Sequence, residues 1–203
     1  MYDSGVSAAD LIRVLEQEAD IALPISNSNW VLWLNQLEWM LYSEVVREQS
    51  RAAAVPDAQR AINTLELSVG SEQAPVLPED VYTIYADKVQ LIKSTAASGV
   101  IFPDTWYIEG KQIRYHTTDV PKILEVIYFV RPACKEVAQD GEITGGNVRV
   151  PYGFLDMVRA RLRGEAYKVA NEDTLAAKWI NDYNILLENF KTYVEDRRPQ
   201  FGM

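Results

Sequence analysis

The stretch that decides the fold is PYGFLDMVRARLRGEAYKVANEDTLAAKWINDYNILLENFKTYVEDRR, residues 151–198. Large apolar residues recur along it at spacings of three and four, which is the period of one face of an α-helix. In the first half these residues are Phe154, Met157, Val158, Leu162, Ala166, Val169 and Ala170. In the second half they are Leu175, Trp179, Tyr183, Leu186, Leu187, Phe190 and Val194. A break near Asn171 and the short connection predict two antiparallel helices that bury these faces against each other.

Two further helices are predicted near the start of the chain. Ser7 and Asp10 have the spacing of a capping box, ahead of an apolar stripe over roughly residues 8–20. The next helix carries Trp30, Trp33, Leu34, Leu37, Met40, Leu41 and Val45 at helical spacing. Helices from 7–52 and 151–198 together predict an antiparallel four-helix bundle.

The region between these helices changes from the helical period of about 3.6 residues to a period of about 2, which is typical of half-buried strands. Apolar and polar residues alternate over 65–69, and residues 105–108 and 112–115 have the pattern of a hairpin. Residues 123–130 are almost uninterruptedly apolar, as in a central strand covered on both faces. Residues 60–132 therefore predict an inserted antiparallel β-sheet, and the fold class is α+β.

The remaining segments connect or end these elements. Residues 132–150 are polar and contain Gly141, Gly145 and Gly146, so that they predict a flexible loop. Pro199 cannot continue a helix, and residues 199–203 predict a C-terminal tail without a core to join. A chain of 203 residues with 48% apolar residues is expected to form one domain, 1–203, around one core.

Composition excludes several classes of protein. Cys134 is the only cysteine, so no internal disulfide can form, and the absence of a long apolar run favours a soluble intracellular protein. The net charge of −9 argues against a sequence-reading nucleic-acid module. Residues 1–100 hold 6 Lys and Arg against 14 Asp and Glu, which predicts either a solvated acidic surface or a face that repels polyanions.

The sequence offers little for catalysis. His116 follows a hairpin strand and has the setting of a turn residue, and Cys134 has no neighbours that indicate a nucleophile. One His and one Cys do not make a zinc site. The glycines of 141–146 lack the lysine of a phosphate-binding loop, and the adjacent carboxylates of 79–80 and 195–196 point apart. We expect no enzyme activity, no cofactor and no metal.

Aromatic and basic residues predict oligomerisation. The chain has 5 Trp, 11 Tyr and 5 Phe, and such residues carry many subunit interfaces. The basic cluster of Arg159, Arg161 and Arg163 has the first and last on one helical face. Contact with DNA is the alternative for this cluster, but a solvated face or an ion pair between subunits is favoured. The predicted interface residues are Trp30, Trp33, Arg159 and Arg163.

The order of these features resembles one family of viral proteins. Four groups of residues carry this resemblance. They are the helical residues Trp30, Leu34, Asn35 and Leu41, and Leu77-Pro78-Glu79-Asp80, which leads into the strands. They also include the hairpin residues Pro103, Trp106, Tyr107, Ile108, Gly110 and Ile113, and the end of the last strand at residues 127–132. This layout, from about Ala8 to Arg198, is similar to the adaptor, or head-to-tail connector, proteins of tailed bacteriophages. The resemblance implies a structural virion protein, made in the bacterial host cytoplasm, that forms a dodecameric ring beneath the portal.

The resemblance also implies partners. The portal protein lies on one side of such a ring and the tail or nozzle proteins on the other, and DNA passes through without sequence-specific binding. A C-terminal segment docks on the portal, and Arg197, Arg198 and Phe201 are the residues here suited to that contact. Another phage neck or tail-completion protein is the nearest alternative function. A small soluble enzyme and a nucleic-acid-binding module are more distant alternatives.

Overall fold

A computed structural model describes residues 3–18, 25–54, 63–65, 67, 70–71, 74–95 and 102–197. The chain divides into two compact units. The helical unit comprises residues 1–46 together with 132–203, and the strand unit comprises residues 47–131. Each unit has its own cluster of buried apolar side chains.

The helical unit contains α1 (Ala8–Glu18), α2 (Asn27–Glu44), α3 (Leu155–Val169) and α4 (Asp173–Glu195). The predicted capping box is confirmed in part, because the Asp10 N–H donates to Ser7 Oγ at 3.0 Å. The predicted break between the last two helices is also confirmed. Asn171 has φ +59°, a left-handed conformation that ends α3 and that asparagine adopts more readily than most residues.

The α+β class is correct, but the predicted four-helix bundle is wrong. Helix α3 is the common neighbour of α1, α2 and α4, whereas α2 also packs on the short strand β11 (Glu136–Val137) and α1 on β12 (Ile143–Thr144). With 11 residues, α1 has less than half the length of α4, which has 23 residues. Apolar faces that would close a bundle are covered by strands instead. In addition, α2 ends at Glu44, and residues predicted to complete it form a strand.

Residues 132–150, which we call the strap, are more ordered than the predicted loop. Strands β11 and β12 pair antiparallel within the strap, and Lys135, Val148 and Val150 are buried. The Val148 N–H donates to Val6 O at 2.9 Å, and Ser4 N–H donates to Val148 O at 3.1 Å. The strap therefore packs along the start of the chain. This packing was not predicted, because the glycines and polar residues of the strap show no apolar period.

The strand unit contains two four-stranded sheets and one short pair, within the residues that the structure describes. The first sheet has the order β1-β10-β5-β6 and is antiparallel throughout. The second has the order β2-β9-β8-β7, and its β7 runs parallel to β8, so the prediction of a wholly antiparallel region is wrong there. The strands are β1 (Glu48–Ala54), β2 (Asn63–Leu65), β3 (Gly70–Ser71), β4 (Ala74–Pro75), β5 (Val81–Ala86), β6 (Val89–Gln90), β7 (Ile92–Lys93), β8 (Thr105–Glu109), β9 (Gln112–His116) and β10 (Leu124–Val130).

Two sequence predictions are confirmed in the strand unit. Strands β8 and β9 form the expected hairpin around Gly110, whose φ of +60° suits glycine. Strand β10 is the expected central strand, since it pairs with β1 on one side and β5 on the other. The predicted strand over 65–69 is only partly covered by the described residues, where β2 ends at Leu65.

Candidate interaction surface

A groove on the helical unit contains two of the predicted interface residues. It has a volume of about 640 Å³ and is lined by Glu18, Asp156, Arg159, Ala160, Arg163, Trp179, Asp182, Ile185 and Leu186. Helix α3 supplies the arginines on one wall and α4 supplies the apolar residues on the other. Ile185 is 57% exposed, so a large aliphatic side chain meets solvent at the edge of the groove.

The two arginines of the groove are held in place but not fully satisfied. The guanidinium of Arg163 stacks 4.6 Å from the ring centroid of Trp179 and forms an ion pair with Glu18. Arg159 pairs with Asp156 at 3.0 Å. Yet Nε of each arginine is buried and has no acceptor among the described residues. Such buried donors without an acceptor are uncommon in native proteins.

A second surface lies on the outer side of α2. Leu32 is 51% exposed and Trp39 is 37% exposed, and the spacing of seven places them on one helical face with Gln36 and Ser43. The Trp39 ring meets Tyr42 edge-on, with 5.7 Å between ring centroids. Glu38 and Glu44 are the charged residues of this helix, and Glu38 is buried. The outward face of α2 therefore exposes Leu32 and Trp39 among the polar residues Ser28, Asn29, Gln36, Ser43 and Glu44.

The structure separates the predicted interface residues into two groups. Trp30 is only 1% exposed and meets Trp33 edge-on at 5.5 Å, inside the apolar cluster of the helical unit. Trp30 is a core residue, because the inward face of α2 carries it together with Leu34 and Leu41. Trp33 is half-buried against the same cluster. Sequence reasoning chose these tryptophans and missed Leu32 and Trp39, although their position opposite the apolar stripe was readable from the sequence.

A buried ion pair attaches the strap to α2. Lys135 Nζ contacts Glu38 Oε2, and the two side chains are 0% and 2% exposed. Glu38 Oε1 also accepts the Arg149 N–H at 2.9 Å, and Asn35 exchanges two hydrogen bonds of 2.9 Å with the Lys135 backbone. Burial raises the pKa of Glu38 and lowers the pKa of Lys135, while each partner opposes the shift of the other. Sequence reasoning missed this pair, since separations of about a hundred residues leave no local pattern.

The predicted portal-docking residues lie at the end of α4. Arg197 is exposed, and its guanidinium lies 3.9 Å from the ring centroid of Tyr193. Tyr193 in turn packs at 4.9 Å against Phe154, which lies 5.0 Å from Phe190. This aromatic cluster fixes the point at which the chain leaves the helix. The other two docking residues, Arg198 and Phe201, lie outside the described residues.

The structure also places His116 and Cys134, the two residues considered for catalysis. His116 Nδ1 lies 3.2 Å from the Phe102 carbonyl oxygen, and Cys134 is exposed. Within the described ranges, no group of three or more His, Cys, Asp or Glu side chains is placed to hold a metal ion. In the same ranges, no helix has the length and apolar character needed to cross a membrane.

Neither models of known protein families nor curated proteins gave a match to this chain. The groove between α3 and α4, the outer face of α2 and the end of α4 are therefore interpreted from their own geometry and charge.

Proposed function

We propose that this protein is a structural head-to-tail connector of a tailed bacteriophage, which forms a ring beneath the portal and provides a conduit for DNA. The observation that carries the proposal is the layout of the chain. An N-terminal and a C-terminal pair of helices share one apolar core, and the strand unit is inserted between them. This is the order of elements on which the resemblance to connector proteins rests.

The helical unit has surfaces suited to assembly. The outer face of α2 and the edge of the groove expose Leu32, Trp39 and Ile185 on a unit that otherwise carries many charges. These side chains offer apolar area for contacts between subunits. Subunits of a ring contact each other through two different patches, because the same operation must repeat until the ring closes.

The charge of the helical unit supports a conduit. Residues 1–46 hold 1 Lys or Arg against 7 Asp and Glu, and residues 132–203 hold 10 against 11. An acidic wall gains no counterion release from DNA, so DNA that moves past it is not retained. We expect binding to a free duplex at about 0.15 M salt to be weaker than the ordinary non-specific range of roughly 10⁻⁴ to 10⁻⁶ M. Micromolar binding in a mobility-shift titration would contradict this role and would make Arg159 and Arg163 candidate DNA contacts.

The direct test uses the portal protein encoded by the same genome. Purified portal rings are mixed with this protein and imaged by electron microscopy. We expect a second ring of density on one face of the portal. Portal rings without added density would contradict the proposal. Attachment that needs another neck protein first would favour the alternative of a neck or tail-completion protein.

Two truncations test the contact with the portal. Removal of residues 197–203 takes away Arg197, Arg198 and Phe201, whereas removal of 199–203 keeps the arginine that stacks on Tyr193. Both variants should keep the helical content and melting temperature of the full chain, because Arg197 is exposed and the aromatic cluster stays intact. We expect both to be lost from a pull-down on portal rings. Equal recovery of truncated and full-length protein would exclude the tail from the interface.

A further inference from the structure

We propose that β1 is an acceptor edge, on which an extended segment of another protein pairs as an additional strand of the first sheet. The chemistry of the edge selects a segment that alternates apolar with polar residues and carries a carboxylate. The inference concerns the strand unit by itself and does not depend on the connector function.

Strand β1 differs in length from the other sheet edges of the described residues. The two four-stranded sheets end on β1, β6, β2 and β7. Strands β6 and β7 have two residues each and β2 has three, whereas β1 has seven. Proteins commonly keep edge strands short or interrupt them with proline or a bulge, because a long regular edge pairs with other chains. Strand β1 contains no proline, and its register with β10 is continuous from Glu48 to Ala54.

Hydrogen bonds on the far side of β10 show which of its backbone groups face β1. The Asp87 N–H donates to Ile123 O at 3.0 Å, at the end of β5 that pairs with the start of β10. The Leu91 N–H donates to Ile84 O at 2.8 Å, so the backbone of residue 84 is directed away from β10. Because the bonding direction alternates along an antiparallel strand, the odd-numbered residues over 123–127 bond to β5 and the even-numbered ones to β1.

The register carries this alternation onto β1. Residues 52 and 54 lie opposite residues 126 and 124 of β10, so their backbone groups are used in that pairing. The N–H and C=O groups of Gln49, Arg51 and Ala53 therefore point away from β10. No partner for these backbone groups is found among the described residues. A row of backbone donors and acceptors of this kind is matched by another extended chain.

The inner face of β1 selects apolar residues on the added strand. Ala52 and Ala54 pack against the apolar cluster of the strand unit, opposite the buried Val126 and Leu124, but both alanines remain half-buried. Their small side chains leave this side of the cluster partly open. Larger apolar side chains at alternate positions of an added strand would cover it, as neighbouring strands do on one face of a sheet.

The other face of β1 borders a groove of about 500 Å³ that selects a carboxylate. Ile123 contributes an aliphatic side chain that is 50% exposed. Arg51 pairs with Glu125 at 3.3 Å, and the carboxylate of Asp87 accepts two backbone N–H groups. Lys88 also lines the groove and has no carboxylate partner among the described residues. An acidic residue on the added strand would complement this lysine.

A second copy of β1 fits the edge less well. If two β1 strands paired antiparallel with all their outward residues matched, Gln49 would lie opposite Ala53 and the two Arg51 residues would lie opposite each other. Like charges directly opposite each other destabilise a strand pair. A segment with a carboxylate brings the opposite sign, so a different protein is the better occupant.

Amide hydrogen exchange tests the free edge. In the protein alone, the amides of Gln49, Arg51 and Ala53 should exchange at least about 10-fold faster than those of Ser50 and Ala52, which are bonded to β10. NMR spectroscopy measures the individual rates. Slow exchange at the three outward amides of a monomer would mean that the chain covers its own edge. Slow exchange in a dimer would identify a second copy as the occupant. Either result would overturn the inference.

A synthetic peptide that alternates valine with glutamate and threonine is the probe for the added strand. We expect it to bind at concentrations up to about 1 mM in fluorescence anisotropy, and to slow exchange at the three outward amides. The same peptide with N-methyl groups on its central residues lacks backbone donors and should bind more than about 10-fold more weakly. Absence of binding, or equal binding of the methylated peptide, would contradict pairing through the backbone.

Protein variants locate the bound peptide. Ala53→Pro removes one outward N–H and keeps the pairing with β10, whereas the matched control Ala53→Val keeps that donor. We expect the affinity to fall more than about 10-fold for the first variant and to change less than about 2-fold for the second. Circular dichroism should show both variants folded. If Ala53→Pro does not fold, the N-methylated peptide tests the same kind of bond with wild-type protein.

A charge reversal completes the test. Lys88→Glu should weaken binding of the acidic peptide about 3-fold, while Lys111→Glu, in the hairpin turn of the second sheet, should leave it unchanged. Equal binding by Ala53→Pro and wild type, or equal effects of the two lysine variants, would place the peptide away from β1 and overturn the inference. Since no portal is used, these results are independent of the test of the connector function.

Discussion

Two ion pairs show how differently the helical unit and the strand unit are held together. In the helical unit Glu38 and Lys135 join α2 to the strap, and their side chains are 2% and 0% exposed. In the strand unit Asp80 and Arg131 meet at 2.7 Å, with side chains that are 8% and 33% exposed. Both pairs join distant parts of the chain. The first has lost its water, whereas the second keeps an arginine that still reaches solvent and also approaches Glu79 at 3.6 Å.

The difference follows from how each unit is built. The strand unit is one continuous piece of chain, and hairpins such as β8–β9 are formed by residues close in sequence. The helical unit is made of two pieces separated by the whole strand unit, so residues far apart in sequence must be brought together. A buried pair that is satisfied only in one arrangement specifies that arrangement, at the expense of desolvating both charges. We infer that the buried pair specifies where the strap packs on α2, whereas the strand unit is held mainly by hydrogen-bonded strand pairing.

The largest effect is expected from Lys135→Met. The substitution leaves the Glu38 carboxylate buried without its cation, which should lower the free energy of unfolding by about 3–5 kcal/mol. Urea unfolding measures the loss. The double variant Lys135→Met with Glu38→Gln removes both charges and keeps an oxygen for the Arg149 N–H, so it should recover most of the stability. A double variant as unstable as the single one would show that packing of the lysine stem, and not charge burial, dominates.

A smaller effect is expected from Gly145→Ala, which tests the strap itself. Gly145 has φ +103°, and an added Cβ would lie 2.5 Å from Cys134 O and 2.6 Å from Lys135 Cα. Because backbone atoms cannot move aside cheaply, we expect a loss of about 2–4 kcal/mol. Gly146→Ala is the matched control, since it also has a positive φ but nothing within 4 Å, and it should lose about 1 kcal/mol.

Gly110→Ala provides the counterpart in the strand unit. Gly110 has φ +60° and open space around a built Cβ, so alanine there should behave like Gly146→Ala. Equal losses at Gly145 and Gly110 would show that the strap is no more tightly packed than a surface hairpin, and would break the comparison between the two units. Thermal unfolding of the three variants beside wild type measures the order.

Arg131→Met tests the partly solvated pair of the strand unit. It removes the 2.7 Å contact to Asp80, but Asp80 keeps the Leu77 N–H at 3.4 Å and water can approach the site. We expect a loss of about 1–2 kcal/mol, less than for Lys135→Met because solvent screens the pair. Urea unfolding of both variants under the same conditions gives the comparison, and equal losses would mean that burial does not set the difference.

The smallest effect concerns pH and the exposed turn at Asp87. Hydrogen bonds from the Lys122 and Ile123 N–H groups hold the pKa of this carboxyl below its ordinary value of 3.8. A lowered folded-state pKa stabilises the fold above pH 3.8 and loses that effect as pH falls below it. The difference in melting temperature between wild type and Asp87→Asn should therefore be constant at neutral pH and shrink under acid. A difference that grows under acid would contradict the direction of the shift.

Glu38 shows the opposite sign, which sharpens the contrast between the units. Burial raises its pKa, so protonation is favoured in the folded state. Its stabilising contribution is present below the ordinary value of 4.5 and is lost as pH rises through the raised pKa. We therefore do not expect protonation of Glu38 to be a cause of acid unfolding, whereas protonation of Asp87 contributes to it.

Local patterns made much of the fold predictable. The period of 3.6 placed α3 and α4, the capping residues placed the start of α1, and the apolar run of residues 123–130 placed the central strand β10. Sequence patterns did not predict contacts between residues that are far apart in the chain. The strap reads as a loop because its glycines and polar residues carry no period, yet Lys135 and Val148 in it are buried. Of the predicted interface residues, Arg159 and Arg163 line the groove, whereas Trp30 lies in the core.

The sequence by itself determined the helices, the hairpin, the class and the acidic charge, because these depend on neighbours along the chain and on composition. Only the tertiary structure decided which side of α2 faces outward and that Lys135 is the cation that pairs with Glu38. It also decided that β11 packs on α2 and β12 on α1, in place of the contacts expected in a four-helix bundle. Those outcomes depend on which surfaces meet in space. Glu38 and Lys135 are 97 positions apart, so no repeating pattern in the sequence relates them. Their pairing is determined by packing and desolvation and not by local propensity.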